Sequence, residues 1–208
     1  MAEQLTDQTD TELEEPLEAL EPDEPEEPEE PALDPQAAAR RAAALAHVRK
    51  FGDPVLRTKA RRVERFDEAL QDEVQRMGEL MNDAIGVGLA ANQVGVLNRV
   101  LVYRVQHQAA VAALVNPEIE WAGKEAEIAE EGCLSLPAVH VEVERPIHIR
   151  VRGQNEHGEP ITVEASGLEA RVIQHEMDHL DGVLILDRIS RQQRKEAMRA
   201  LHEALQPA

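Results

Sequence analysis

The sequence predicts an α+β fold: mostly antiparallel β-sheets packed around a central metal-binding HExxH helix, with a helix at the C-terminus. Three observations carry this expectation. Short β-branched runs of period two precede a helical segment. That segment contains His175-Glu176-x-x-His179. A basic, amphipathic stretch then follows it.

The first part of the chain stands apart by composition. The formal charge of -19 is concentrated in residues 1–35, which hold 15 of the 41 acidic residues and no Lys or Arg. The same stretch carries 6 of the 12 prolines. Like-charge repulsion, frequent proline and few large apolar side chains prevent a buried core, so a disordered acidic tail is expected over 1–36. It serves as a solubilising extension or as a contact for a basic partner. It lacks the basic start and apolar run of an export signal and the arginines of a transit peptide. With no run of 18 apolar residues and a single cysteine, Cys133, the chain is expected in the cytoplasm, with no membrane span and no internal disulfide.

A catalytic domain is expected over 37–190. Residues 36–48 are Ala-rich and read as a short helix or as more linker. Asp67 can cap a helix to about Asn82, with Leu70, Val74, Met77, Leu80 and Met81 at helical spacing. In Gly86-Val87-Gly88-Leu89-Ala90-Ala91-Asn92-Gln93, small residues allow a tight turn or close approach of a ligand to the backbone, and Gln93 can donate to a substrate oxygen. Strands are expected over 99–105 and 112–115, the latter ended by Asn116-Pro117. A hairpin is expected from 146–152 and 160–165 around Asn155-Glu156-His157-Gly158. Ser166 and Glu169 read as a capping box opening the motif helix, and Gly182 as its left-handed C-cap. The last element, 191–208, reads as a basic helix, either solvated or touching an anionic surface.

Residues four apart share a helix face, so His175 and His179 can bind one metal ion while Glu176 reaches a water beside it. The candidate for a third ligand is Cys133 in Glu131-Gly132-Cys133-Leu134-Ser135, where Gly132 permits an unusual backbone angle. Cys133 is either a small buried hydrophobe or the thiolate of a three-ligand set that leaves one tetrahedral position open.

Residues 86–93, 131–135 and Gln174-His175-Glu176-Met177-Asp178-His179 resemble, in order and approximate spacing, the three signature motifs of peptide deformylases. Lys50-Phe51-Gly52-Asp53-Pro54 resembles the start of that domain. The resemblance implies hydrolysis of the formyl group from the N-terminal formyl-methionine of new polypeptides, so N-formylmethionyl peptides are the expected substrates. It implies one divalent metal ion, Fe2+ in the cell, with Zn2+, Ni2+ or Co2+ possible in purified protein. It makes Cys133, His175 and His179 the ligands and Glu176 the acid/base. Gln93 and the backbone N–H of Leu134 would face the oxyanion, and Gly88 would hydrogen-bond the substrate backbone. Val87, Leu168 and the ring of His175 would line the methionine pocket, with Arg171 near its rim. Two other readings stay open on the residues: a zinc peptidase, which shares HExxH, and a non-catalytic module binding ribosomes through the basic C-terminus. Neither a membrane nor a specific DNA partner is expected.

Overall fold

The computed structural model describes residues 34–106 and 108–204. The expected acidic tail and the final residues 205–208 lie outside them, apart from Asp34–Gln36. The first described element is a helix, α1 (Pro35–His47). Asp34 caps it by accepting from Gln36 N and Ala37 N, and Pro35 occupies the first turn, where its missing N–H costs nothing. Of the two readings left open for 36–48, the helix is therefore the one formed.

Helix α2 (Glu68–Asp83) begins as its sequence predicts, with the Asp67 carboxylate accepting from Leu70 N. Leu70, Met77 and Met81 point into a core shared with Leu89, Val100, Val102 and Val115. The main sheet is wholly antiparallel, in the order β1 (Gly88–Ala90), β2 (Val100–Tyr103), β3 (Ala112–Ala122), β6 (His148–Gln154), β7 (Pro160–Ser166). The β6–β7 hairpin turns at the predicted place, with Gly158 in the left-handed region at φ 86°.

Strand β3 overturns one expectation. Asn116-Pro117 does not end it; the strand continues through a register shift between Val115 and Glu118. Asn116 takes φ 54°, which Asn tolerates, and its amide bonds both the N–H and the carbonyl of Val63. The buried side chain thus ties the irregular part of the strand to Val63.

Strands β4 (Ala126–Cys133) and β5 (Leu136–Pro146) form a separate two-stranded sheet joined by the tight turn Leu134-Ser135. No expectation covered this hairpin, yet it carries Cys133. The motif helix α3 (Gly167–Leu180) runs between the two sheets, packing on β1, β2, β6 and β7 on one side and β5 on the other. Its C-terminus follows the sequence: Gly182 has φ 76°, and a side chain there would meet the Arg57 carbonyl. Its N-terminus does not. Ser166 is the N-cap but makes no side-chain capping bond, and Gly167 beside it takes φ 55°. The chain closes on α4 (Arg191–Ala204), which lays Ala197 and Leu201 against β5. Among the described residues no helix is long and apolar enough to cross a membrane.

Candidate metal centre and active-site cleft

Two unrelated elements bring the predicted ligands together. Helix α3 presents His175 and His179 one turn apart, and β4 ends on Cys133 opposite them. Cys133 Sγ lies 3.2 Å from His179 Nε2, which lies 3.2 Å from His175 Nε2. All three donor atoms fall within 4.8 Å of one another. Bonds of about 2.0–2.3 Å to one tetrahedral centre separate donors by roughly 3.3–3.8 Å, so a thiolate and two imidazoles fit one ion with a position left over. Among the described residues this is the one His/Cys/Asp/Glu cluster suited to a metal.

Burial acts on each donor differently. It pushes His179 well below the ordinary imidazole range, with the charges of His175 and Arg145 adding to it, which favours the neutral form a metal ligand needs. His175 is also fully enclosed, but contacts with Cys133 and Glu131 outweigh burial and raise it. Its Nδ1 lies 3.0 Å from Glu131 Oε2, so the carboxylate fixes the ring orientation and leaves Nε2 facing the other donors. Burial alone would raise Glu131; the hydrogen bonds from Arg145 and His175 hold it at about 2. Arg145 grips Glu131 through two bonds of 2.7 and 2.9 Å and reaches Asp178 on α3 at 2.7 Å. Asp178 also pairs with Arg188 beyond the helix. This buried set of Glu131, Arg145 and Asp178 is what locks β4, β5 and α3 in register around the ligands.

Glu176 follows from packing on the other side of α3. Its carboxylate occupies the space a side chain at Gly88 would fill, since a Cβ there would come 2.5 Å from Oε1. That close approach is the physical reason for glycine at 88. Burial pushes the Glu176 carboxyl up to about 7, against the lowering influence of His175 and of a bond from the Ala90 backbone. Oε2 is buried with no partner in the protein, leaving an acceptor for a reacting molecule. Gln93 is fixed from both ends: Oε1 accepts from Ala90 N at 2.9 Å, while Nε2 points to Ser135 Oγ at 3.2 Å and Cys133 Sγ at 3.7 Å. Lys50 Nζ donates to the Leu134 carbonyl at 2.9 Å and pins the turn.

A cleft of about 430 Å³ opens over these groups. Of the residues singled out by sequence, Val87, Gly88, Gln93, Cys133, Leu134, Leu168, Arg171, His175 and Glu176 line it, and His179 lies beneath. Val87 and Leu168 are half exposed at the mouth. Arg171 is not a free rim charge. It is 8% exposed, and its guanidinium binds the Val143 and Glu127 carbonyls and Glu131. Only the lining contact remains for a substrate. Gly132 also differs from its reading: it is not among the positive-φ glycines, and a Cβ there would lie 3.3 Å from the exposed His140 ring.

Sequence reasoning missed Arg145, Asp178 and the two roles of Asn92 and Lys50. Asn92 ties the loop to α3 by donating to the His179 carbonyl. A signal for Arg145 existed: Val139, Val141, Val143 and Arg145 alternate along β5 and share its buried face.

Donors converging on one point, beside a buried carboxylate in an open cleft, make a metal-dependent hydrolase. The comparisons narrow that class. The polypeptide deformylase family matches residues 45–195. The peptide deformylase of Thermotoga neapolitana is 54% identical over 142 residues, 68% of this chain and 85% of that protein. That of Acidothermus cellulolyticus is 50% identical over 157 residues, covering 76% and 86%. The crystal structure of a Synechococcus elongatus peptide deformylase with actinonin superposes with a TM-score of 0.72 at 41% identity, covering 77% of this chain and 91% of that one. The Thermotoga maritima enzyme gives 0.66 at 52% identity, covering 69% and 96%. The chain belongs to the polypeptide deformylase family. Neither the peptidase nor the non-catalytic alternative is favoured by these relatives.

Proposed function

We infer that this protein is the hydrolase that removes the formyl group from the N-terminal formyl-methionine of new polypeptides and releases formate. The observation that carries the reading is Glu176 in the cleft beside the Cys133, His175 and His179 donor set, in a chain with relatives at about half identity. Cys133, His175 and His179 would hold a divalent ion, which when bound supplies a Lewis acid and lowers the pKa of water there to about 7.

The chain's own residues account for the rest. Glu176 takes the proton of the attacking water at its open carboxylate oxygen. The water oxygen bonds to the formyl carbon, and the formyl oxygen gains negative charge. Gln93 Nε2, oriented through Ala90, and the backbone N–H of Leu134 donate to that oxygen; one such donor is typically worth about 10²–10³ in rate. Glu176 returns the proton to the departing amine nitrogen as the C–N bond breaks. Gly88 offers its backbone to the substrate chain, while Val87, Leu168 and the His175 ring receive the methionine side chain. Arg171 supports that wall from behind.

The ion in the cell is ferrous, with zinc, nickel or cobalt able to replace it in purified protein; soft thiolate plus imidazole suits these metals. The site of action is the cytoplasm. The catalytic domain is assigned to 37–190, between the acidic segment 1–36 and the basic segment 191–208. Arg188, Arg191, Arg194, Lys195 and Arg199 on and before that helix contact the ribosome. Charge reversal across them should weaken salt-dependent co-sedimentation with ribosomes, and unchanged association would remove this contact.

Formate release from formyl-Met-Ala-Ser, with acetyl-Met-Ala-Ser alongside, tests the function in protein purified without oxygen and assayed for metal. Release from the formyl peptide alone, with about one metal per chain, is expected. No release at full metal occupancy would overturn the reading.

A further inference from the structure

The cleft has a wall whose outer residue, Arg41, precedes the family match. Arg41 and Leu45 of α1 line it, and the match begins at residue 45. Residues 41 and 45 are one turn apart on one face of α1, and Ala44 and Val48 on that same side are buried. The helix is thus seated on the domain through the face that reaches the cleft. Asp34 and Pro35 fix where it starts, so Arg41 is placed by a capped helix.

The charges along the cleft are unevenly committed. Glu131 and Asp178 offset Arg145 and Arg171 in the buried set, and Glu130 on the β4 wall lies 3.4 Å from His140 Nδ1, a pair of opposite charges only when that ring is protonated. On the α1 side Lys50 adds a second positive charge, whose ammonium also holds the Leu134 carbonyl. The outer cleft is therefore apolar at Leu45 and positive at Arg41. A peptide anchored by its formyl-methionine must pass its following residues out through this cleft.

We propose that α1 is a substrate-reading element, in which Leu45 packs on the substrate chain and Arg41 selects an acidic side chain one or two residues after the methionine. The proposal rests on the deformylase reading above. Arg41 is exposed, so its contribution is that of a surface ion pair, worth up to about fivefold at low salt and less when screened.

The test measures kcat/KM of the full-length, metal-loaded protein on formyl-Met-Ala-Glu and formyl-Met-Ala-Lys at low and high salt. The unaltered protein should favour the Glu peptide several-fold, through KM, and lose the preference at high salt. Arg41→Lys should keep it, Arg41→Ala should bring the ratio close to one, and Arg41→Glu should invert it. A ratio that is the same in the unaltered protein, Arg41→Ala and Arg41→Glu, with turnover intact, overturns the proposal and leaves the deformylase reading standing. Absence of turnover on either peptide in every one of them overturns both.

Discussion

Helices α3 and α4 have the same length, 14 residues each, and opposite surroundings. In α3 every residue from Ala170 to Leu180 is buried, including Arg171, Gln174, His175, Glu176, Asp178 and His179. In α4 only Ala197 and Leu201 are, and its arginines stand in solvent. The difference teaches where the polar groups draw their consequence. Asp178 of α3 is bound by Arg145 in a buried site, whereas Asp187, just before α4, pairs with Arg57 and Arg194 at the surface. An ion pair of the first kind cannot lose one partner without leaving a buried charge. A pair of the second kind is replaced by water.

Breaking α3 at its chemistry should have the largest effect. Glu176→Gln keeps shape and metal but removes the proton acceptor, and formate release should fall about 10²–10⁴-fold with metal content unchanged. Turnover near that of the unaltered protein would remove Glu176 from its role. Gly88→Ala probes the same carboxylate from the other side. Its new methyl meets Glu176, so activity should fall sharply while the fold, read by circular dichroism, persists.

Next comes the buried set. Arg145→Ala should cost about 3–5 kcal/mol in denaturant unfolding, because Glu131 and Asp178 lose their shared cation. Arg194→Ala on α4, by contrast, should cost under about 1 kcal/mol. Equal losses at the two arginines would erase the contrast between the helices. Removing the metal with a chelator should lower Tm, since the ion ties β4 to α3, and adding it back should restore the value.

The smallest expected effect is a pH dependence. Burial alone would raise Asp187; the Arg57 guanidinium and the Leu184 N–H outweigh it and hold its carboxyl below its ordinary value of 3.8. A carboxyl depressed in the folded state contributes stability above that value and loses it as pH falls through the folded pKa. Asp187→Asn should therefore lower stability slightly at neutral pH, change it little well below pH 4 where the carboxyl is already protonated, and so flatten the acid limb. An unaltered acid limb would assign that slope to other carboxylates.

Much of the site was legible because its signals are local. His175 and His179 at a spacing of four, the small residues around Gly88 and the left-handed stop at Gly182 each follow from chain geometry over a few residues. Arg145 was legible only as a position on the buried face that Val139, Val141 and Val143 mark; its meaning depends on Glu131, 14 residues back, and Asp178, 33 residues on. The continuation of β3 through Pro117 was hidden for the same reason, since Asn116 finds its partner in Val63. Ser166 and Glu169 misled because a capping box is only a local preference: Ser166 is the N-cap, yet its side chain makes no capping bond.

By itself, then, the sequence determined the helical pairing of two imidazoles, the separation of an acidic segment from a near-neutral domain, and the α+β class, all set by periodicity and composition. Tertiary structure alone decided that Cys133 faces those imidazoles, that the Arg171 guanidinium is bound to Glu131 and to the Val143 and Glu127 carbonyls, and that Arg41 lines the cleft. Those are relations between residues far apart in the chain, fixed by packing two sheets around one helix rather than by any neighbouring residue.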